Sequence, residues 1–270
     1  MHRRVRDESG PVVAAARADF RERYGANLNF APVLVIIAAY DEEDSLGAVL
    51  DAIPANVCGL EVDTLVVDDG STDSTAKVAE KHDGVHLARL SRNCGQGVAF
   101  RLGYALAAEH GASYIVTLDA DMQWDPAEMS VVLAPLLADE ADFVLGSRVL
   151  GTAETVDAFR HVGVWVFARL VSLLTGCRLT DTSTGYRAIR TEVTQTVPQT
   201  QVQYQTSELL IGAIRRGYRI TERPITQHKR FAGQSKKGPN LLYGARYARV
   251  ILHTSLRERR ALRRERRGAG

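Results

Sequence analysis

The segment YIVTLDADMQWDP, residues 114–126, decides the fold of this chain and indicates its chemistry. Its apolar half is typical of a buried strand, which ends at Asp119 and Asp121, with Gln123 two residues further on. Because side chains alternate along an extended chain, both carboxylates point to the same side. Carboxylate and amide oxygens suit a Mg²⁺ or Mn²⁺ ion that also binds phosphate oxygens. An acidic turn with helix-capping aspartates is the alternative for an isolated pair of this kind.

Apolar runs followed by a polar turn and a helix recur on both sides of this segment. The predicted strands are residues 33–39, 65–67, 85–90, 114–118 and 143–146. Repeated units of this size predict an α/β fold with a Rossmann-like, mostly parallel sheet flanked by helices. In such a sheet, ligands bind beyond the carboxyl ends of the strands.

Two further strand ends carry acidic residues. These are YDE at residues 40–42 and DDGS at residues 68–71, for which a solvated helix start and a capped turn are the alternatives. Together with residues 119–121, three acidic loops at one sheet edge predict a pocket. The turn NCGQG at residues 93–97 lacks the spacing of a P-loop or a dinucleotide fingerprint. We interpret it as a tight strand-to-helix turn close to a bound nucleotide.

Length and composition favour one folded unit. The chain has 270 residues, 45% hydrophobic and 24% charged, which suits one large domain and argues against global disorder. Its three cysteines are far apart without metal-type spacing, so we predict neither a disulfide framework nor a zinc site and expect a reducing compartment. Residues 1–10 lack the apolar run of an export signal. Residues 162–174 contain Arg169 and are shorter than the ~20 residues that a membrane-spanning helix needs.

In their order along the chain, these motifs resemble the family-2 glycosyltransferases of GT-A fold. The resemblance is to the branch of dolichol-phosphate mannose synthase and related polyprenyl-phosphate sugar synthases, and it covers residues 33–236. The motifs that carry it are IIAAYDEE, VVDDGSTDST, NCGQGVA, LDADMQWDP, GSR at residues 146–148, DTSTGYR at residues 181–187, ERPI and KRFAGQSK. The chain departs from the family's pattern at Ala38 for proline, Asp41 for asparagine and Gln96 for lysine. These departures bear on which base or sugar is bound.

The resemblance implies an inverting, metal-assisted transfer of a hexose from GDP-mannose or a UDP-sugar to a polyprenyl phosphate. The residues implied to bind the nucleotide sugar are Ala39, Tyr40, Glu42, Asp69, Gly95, Gln96 and Asp119. The implied ligands of Mg²⁺ or Mn²⁺ are Asp119, Asp121 and Gln123. Arg148 is implied to lie near the donor or acceptor phosphates. A basic loop with Arg230, Ser235 and Lys236 suits the acceptor phosphate, with a solvated surface loop as its alternative.

The acceptor decides whether the reaction needs a base. A phosphate monoester is largely ionised near neutral pH and needs none. A sugar hydroxyl would need a carboxylate, for which Asp181 and Glu208 are the candidates, unless the two only fix a turn and cap a helix. Relatives that act on hydroxyls often carry Thr-Glu-Asp where this chain has TSE at residues 206–208. A soluble transferase acting on a hydroxyl and a non-catalytic nucleotide-sugar-binding protein therefore remain as alternatives.

We expect three parts in the chain: a helical arm over residues 1–31, a GT-A catalytic domain over residues 32–238 and a C-terminal extension over residues 239–270. Within the catalytic domain, residues 32–121 are expected to bind the nucleotide sugar and residues 122–238 the acceptor. In the extension, apolar residues at helical spacing lead into an arginine-rich tail, which predicts an amphipathic helix.

Two segments bear on the location of the protein. The arginine-rich tail would be attracted to anionic lipid by about 1 kcal/mol per residue at the surface, unless it serves only as a solubilising tail. Nucleic acid is not an expected partner, because no aromatic platform accompanies the arginines. An apolar stripe over residues 156–174 suits either the membrane interface or the core. We expect a cytoplasmic protein in peripheral contact with the inner face of the membrane.

Overall fold

The computed structural model describes residues 10–154, 158–230 and 240–268. Within these ranges the strands are β1 (Val33–Ala39), β2 (Asn56–Val57), β3 (Leu60–Asp68), β4 (Val85–Arg89), β5 (Tyr114–Asp119), β6 (Phe143–Ala153), β7 (Arg187–Arg190) and β8 (Ile220–Gln227). The helices are α1 (Gly10–Tyr24), α2 (Leu46–Ala52), α3 (Thr75–Glu80), α4 (Gln96–Glu109), α5 (Met129–Leu137), α6 (Ala158–Thr175), α7 (Thr191–Thr196), α8 (Gln205–Arg215) and α9 (Asn240–Gly268). A short 3₁₀ helix, Pro126–Glu128, precedes α5.

The strands form one sheet in the order β4-β3-β1-β5-β7-β6-β8, and β2 pairs with the beginning of β3. Neighbouring strands are parallel except at β2 and at β7, which is antiparallel to both β5 and β6. The predicted α/β fold with a mostly parallel sheet is therefore confirmed, and α9 forms the expected C-terminal helix.

Strand β1 lies at the centre of the sheet and is covered on both faces, which explains its unbroken apolar sequence VLVIIAA. Leu34 and Ile36 belong to one hydrophobic cluster, and Val33, Val35 and Ile37 belong to another on the opposite face. Each buried aliphatic side chain contributes about 1.5–3 kcal/mol relative to exposure. Two separate layers of helices thus hold the sheet between them and set the position of its strand ends.

The acidic loops start side by side, as predicted. In the parallel register, Ala39 of β1 pairs with Asp68 of β3, and Ala38 of β1 pairs with Asp119 of β5. The carboxyl ends of three neighbouring strands therefore meet at one edge. Ala38, where the related family has proline, lies between the other two strand ends.

Helix α3 begins only at Thr75, although Thr72 and Asp73 are residue types that often begin a helix. Glu43 accepts a hydrogen bond from the Ser74 amide (2.8 Å), and Asp41 accepts one from the Thr72 amide (2.8 Å). These bonds hold residues 72–74 against the loop after β1, so this part of the chain cannot join the helix.

Strand β6 is longer than the predicted residues 143–146 and contains an irregularity between Ser147 and Thr152. The Ser147 hydroxyl accepts hydrogen bonds from the amides of Val149 and Leu150 (both 3.2 Å), which closes the bulge. The local bend is invisible in an apolar pattern because it depends on these side-chain bonds.

The N-terminal helix α1 packs onto the sheet domain. Phe20 is fully buried in the same cluster as Leu34, and the Tyr24 hydroxyl accepts a hydrogen bond from the Leu87 amide (2.9 Å). Arg17 and Arg21 both form ion pairs with Glu109 at the end of α4. The described part of the predicted arm thus contains a helix, and its apolar face contributes to the core.

We predict that Phe20→Ala lowers the free energy of unfolding by about 3–5 kcal/mol, because it leaves a cavity under α1. Chemical denaturation followed by circular dichroism would measure the change. Glu22→Ala, at an exposed position of the same helix, is the control and should change stability by less than about 0.5 kcal/mol. Equal effects of the two substitutions would contradict the docking of α1.

Candidate active site

The loop after β1 is fastened to the loop after β3. Asp41 has a left-handed backbone with φ of 48°, a conformation that asparagine and aspartate adopt more readily than other residues with a side chain. Its Oδ1 accepts from the amide (2.8 Å) and the hydroxyl (3.2 Å) of Thr72. The Asp41 amide in turn donates to the Ser71 hydroxyl (3.0 Å). The departure from asparagine at this position therefore keeps the turn and uses the carboxylate as a structural acceptor.

Asp69 holds the glycine-containing turn after β4. Its two oxygens accept from the amides of Cys94 (2.7 Å) and Gly95 (2.8 Å). Burial raises the pKa of the Asp69 carboxyl to about 6, although the two amide donors oppose this shift. The turn thus lies beside the acidic edge, where the sequence predicts the nucleotide. A contact between Asp69 and the nucleoside stays a prediction, as do the nucleotide contacts implied for Ala39 and Tyr40.

Glycines let this turn approach a second loop. A Cβ at Gly95, whose φ is +94°, would lie 2.4 Å from Val202 Cγ1, and a Cβ at Gly97 would lie 2.2 Å from the Gln201 carbonyl oxygen. The Gly97 amide donates to the Val202 carbonyl (2.8 Å). The exposed Gln96 therefore starts α4 on a turn held from both sides.

Asp119 and Asp121 occupy the end of β5. Asp119 Oδ2 accepts from the Trp124 indole N–H (2.9 Å), and a Cβ at position 185 would lie 2.4 Å from that oxygen. Asp121 is 4% exposed, and its Oδ1 accepts from the Gln123 amide (3.1 Å). The Gln123 carbonyl accepts from the His228 amide (2.9 Å), which ties this loop to the end of β8. The two carboxylates are therefore fixed in place by their surroundings.

Arg230 completes this part of the site. Its Nη2 lies 2.7 Å from Asp121 Oδ2, and its Nη1 lies 3.5 Å from Glu42 Oε1. The structure therefore places Arg230, predicted to bind the acceptor phosphate, against the carboxylate predicted to bind metal. The other predicted members of its loop, Ser235 and Lys236, lie outside the described residues.

The negative charges of Asp119 and Asp121 favour the binding of a cation between them. Burial and the negative charges of Asp119 and Glu42 together raise the pKa of the Asp121 carboxyl to about 6, against the opposing effect of Arg230. Across residues 10–154, 158–230 and 240–268 there is no group of three or more His, Cys, Asp or Glu side chains that could hold a metal ion. Two carboxylates still fit Mg²⁺ or Mn²⁺, because Mg²⁺ usually takes one or two carboxylates and completes its shell with phosphate and water oxygens. The predicted role of Gln123 as a ligand stays a prediction.

Arg148 and Asp181 form a buried pair with two contacts. Arg148 Nε lies 2.5 Å from Asp181 Oδ2 and Arg148 Nη2 lies 3.1 Å from Oδ1. Oδ1 also accepts from the amide and hydroxyl of Ser183. Arg148 Nη1 donates to Gln227 Oε1 (3.2 Å), and the guanidinium carbon lies 5.3 Å from the centre of the Trp124 ring. The pair therefore connects the turn at residue 181 to the metal-side loop. Asp181 is fully buried, which matches its structural alternative better than its role as a base.

Glu208 is also fully buried, on α8. Oε2 accepts from the amides of Thr200 and Gln201 (both 2.8 Å), and Oε1 accepts from the Thr200 hydroxyl (2.9 Å) and from Arg257 Nη1 (2.6 Å). Four donors thus occupy its two oxygens. Glu208 thereby ties α8 to the preceding loop and to α9, a structural role other than the helix cap that was its alternative. Its role as a base stays a prediction.

Three residues of the site were not singled out by the sequence. Trp124 and Gly185 both touch Asp119, and Arg257 reaches Glu208 from α9. Trp124 stands directly after Gln123 in LDADMQWDP, and Gly185 lies inside DTSTGYR, so both were visible as parts of motifs. Arg257 has no sequence signal, because it comes from an arginine-rich tail in which every member looks alike.

We predict that Glu208→Gln lowers the free energy of unfolding by about 1–3 kcal/mol, since the amide NH₂ cannot accept from the donors that one carboxylate oxygen meets, while Arg257 keeps its ion pair with Glu258. Thermal or chemical unfolding would measure this. Glu192→Gln, on the exposed side of α7, is the matched control. A variant with unchanged stability but abolished turnover would instead support Glu208 as a base.

The comparisons with known proteins agree on one family. The sequence matches the model described as Glycosyl transferase family 2 over residues 34–197. The dolichyl-phosphate hexose transferase of Haloferax volcanii is 34% identical over 230 residues, which cover 85% of this chain and 96% of the relative. The undecaprenyl-phosphate mannosyltransferase of Micrococcus luteus is 31% identical over 218 residues, which cover 76% of this chain and 86% of the relative.

A solved structure matches the fold. Glucosyl-3-phosphoglycerate synthase from Mycobacterium tuberculosis, in complex with Mn²⁺, uridine diphosphate and phosphoglyceric acid, superposes with a TM-score of 0.65 at 20% identity. The match covers 91% of this chain and 81% of that chain. At this identity the likeness concerns the fold alone.

The mostly parallel sheet with acidic strand ends defines a glycosyltransferase of GT-A fold, as the order of the motifs predicts. The chain belongs to glycosyltransferase family 2. The predicted class of enzyme is thereby confirmed.

Proposed function

We propose that this protein transfers a hexose from a nucleotide-diphosphate sugar to a polyprenyl phosphate, with inversion at the anomeric carbon and with help from Mg²⁺ or Mn²⁺. The observation that carries the proposal is the pair Asp119 and Asp121, held at the end of β5 beside Arg230 and the loop after β1. The relatives named as dolichyl- and undecaprenyl-phosphate transferases support the lipid phosphate as acceptor.

In this proposal the acidic edge binds the donor. The loop after β1, the Asp69-held turn and the end of β5 surround the place predicted for the nucleoside and its diphosphate. A divalent cation held by Asp119 and Asp121 supplies positive charge to the departing diphosphate. Arg230 forms an ion pair with Asp121. If the Asp121 carboxylate binds a cation instead, the Arg230 guanidinium would be available to neutralise phosphate charge.

The acceptor phosphate needs no proton acceptor. One of its oxygens forms a bond to the anomeric carbon while the bond between that carbon and the diphosphate oxygen breaks, so one displacement inverts the configuration. Near neutral pH this oxygen is already ionised. The geometry of Asp181 and Glu208 agrees with this mechanism, because both are fully buried and engaged by arginine.

We predict that the protein, incubated with labelled GDP-mannose or UDP-sugars, polyprenyl phosphate and Mg²⁺, forms a lipid-extractable labelled product. Asp121→Asn should lower turnover at least 100-fold, because it removes one charge that binds the cation. Asp51→Asn, on the exposed side of α2, is the control and should keep full activity.

The outcomes separate the alternatives. A water-soluble product in place of the lipid product would contradict the lipid acceptor and favour transfer to a hydroxyl. Donor binding without turnover under any tested acceptor would support the non-catalytic alternative. Full activity of Asp121→Asn would contradict the metal site itself.

A peripheral contact with the membrane belongs to this proposal. No helix within the described residues is long and apolar enough to span a bilayer. Helix α6 nevertheless exposes a row of apolar side chains at helical spacing; its members are Val162, Trp165, Val166 and Leu173. Leu252 and Leu256 are exposed on α9, between the exposed Arg249 and Arg259. Such faces suit an anionic lipid surface, and they support our proposal of a peripheral contact with the inner face of the membrane.

We predict that the protein floats with vesicles that contain anionic lipid and that Val162→Ser with Leu173→Ser lowers the bound fraction several-fold. The two serines remove apolar area that would enter the interface, and vesicle flotation would measure the loss. Asp51→Asn should bind as the unchanged protein does. Equal flotation of the double variant would show that this face of α6 does not meet the membrane.

A further inference from the structure

We propose that Trp124 is a positioning residue. Its indole N–H orients the Asp119 carboxylate toward the divalent cation, and its ring face holds the Arg148 guanidinium in place. The inference rests on the proposed function, because it assigns a role at the same metal site. It goes beyond that function by identifying the side chain that joins the metal side of the site to the arginine of the opposite side.

The first contact is the hydrogen bond from the indole. Trp124 Nε1 donates to Asp119 Oδ2 at 2.9 Å, and the residue is 3% exposed. An indole has one N–H and no acceptor, so this bond uses its whole hydrogen-bonding capacity. A buried donor that meets a carboxylate forms a stronger bond than a neutral pair does. The bond therefore fixes the rotation of the Asp119 carboxylate and not only its position.

Gly185 holds the same carboxylate from another side. A Cβ at this position would lie 2.4 Å from Asp119 Oδ2 and 2.7 Å from Oδ1, so a larger residue would collide with it. The Gly185 carbonyl accepts from the Thr117 hydroxyl on β5 (2.6 Å), which keeps the glycine in place. Asp119 is thus confined between an N–H donor and a backbone without a side chain.

The second contact is on the face of the ring. The Arg148 guanidinium carbon lies 5.3 Å from the centre of the Trp124 ring, within the range of a cation–π interaction. The same guanidinium is paired with Asp181 and bonded to Gln227, whose backbone forms a bridge with Trp124. Trp124 therefore donates a hydrogen bond to Asp119 from the edge of its ring and contacts the Arg148 guanidinium with the face of its ring.

Because the two contacts can be removed separately, substitutions can test whether Trp124 positions Asp119 and Arg148 or only fills space in the core. Phenylalanine would keep the ring face for Arg148 and most of the buried volume, but it lacks the N–H. Leucine would lose both contacts. If Trp124 only fills space, the phenylalanine variant should bind metal as the unchanged protein does. If it orients Asp119, metal affinity should fall although the fold and the arginine contact persist.

The experiment measures Mn²⁺ binding in the presence of GDP or UDP, by electron paramagnetic resonance of the free ion. We expect Trp124→Phe to weaken Mn²⁺ binding about 10-fold, which is the size of effect that partners of metal ligands have. Trp124→Leu should weaken it similarly and also raise the KM for polyprenyl phosphate, which Trp124→Phe should leave within about two-fold. Circular dichroism and thermal unfolding would establish that each variant folds.

Trp165→Phe is the matched control, because the chain has two tryptophans and Trp165 is 66% exposed on α6. This control should bind Mn²⁺ with unchanged affinity. It also leaves Trp124 as the sole tryptophan, so Mn²⁺ should quench its fluorescence along the same binding curve. That measurement tests the proximity of Trp124 to the ion even if Trp124→Phe does not fold.

Two results would overturn the inference in different ways. If the unchanged protein binds Mn²⁺ and a folded Trp124→Phe binds it equally well, the positioning role is wrong and the proposed function stands. Unquenched Trp124 emission at saturating Mn²⁺ in Trp165→Phe has the same meaning. If the unchanged protein and the control bind no Mn²⁺ at all, both the metal-assisted function and the role of Trp124 fail.

Discussion

The repulsion between two carboxylates at the end of one buried strand is the constraint around which the site is built. Asp119 and Asp121 follow a strand covered on both faces, so neither can be fully hydrated. The pKa of Asp121 is raised to about 6 by burial and by its neighbours' charges. The protein offsets this cost with Arg230, with the Gln123 amide and with the Trp124 N–H. A divalent cation would relieve the same repulsion, which is why the arrangement suits metal binding.

The other acidic residues at this edge of the sheet hold loops in place by hydrogen bonds and ion pairs. Asp41 and Asp69 use their oxygens to fasten loops, the first to Thr72 and the second to the amides of the turn after β4. Asp68, which is fully buried, accepts from the Ser71 amide and pairs with Arg89. The acidic motifs of this edge therefore contain two kinds of carboxylate: those that hold the loops in place and those predicted to bind a ligand. Hydrogen-bond partners, which depend on neighbouring strands, separate the two kinds.

In the second half of the chain, arginines form ion pairs with the carboxylates that would have to act as a base if the acceptor were a hydroxyl. Asp181 is paired with Arg148, and Glu208 is paired with Arg257 from α9. Burial of such pairs is tolerated because each carboxylate also accepts from amide and hydroxyl donors. This arrangement is consistent with an acceptor that arrives already ionised. It also makes the C-terminal helix part of the catalytic domain's packing, through a residue that the arginine-rich sequence does not distinguish.

The sequence by itself determined the alternation of strands and helices, the acidic strand ends and the family, because hydrophobic period and motif order are local properties of the chain. It also located Asp119 and Asp121, since both lie at the end of an apolar run that is typical of a buried strand. Only the tertiary structure decided which partners these groups have. The contact of Arg230 with Asp121, that of Trp124 with Arg148 and the pairing of Glu208 with Arg257 join residues that are distant in sequence. Such contacts depend on strand register and helix packing, and no local pattern encodes them.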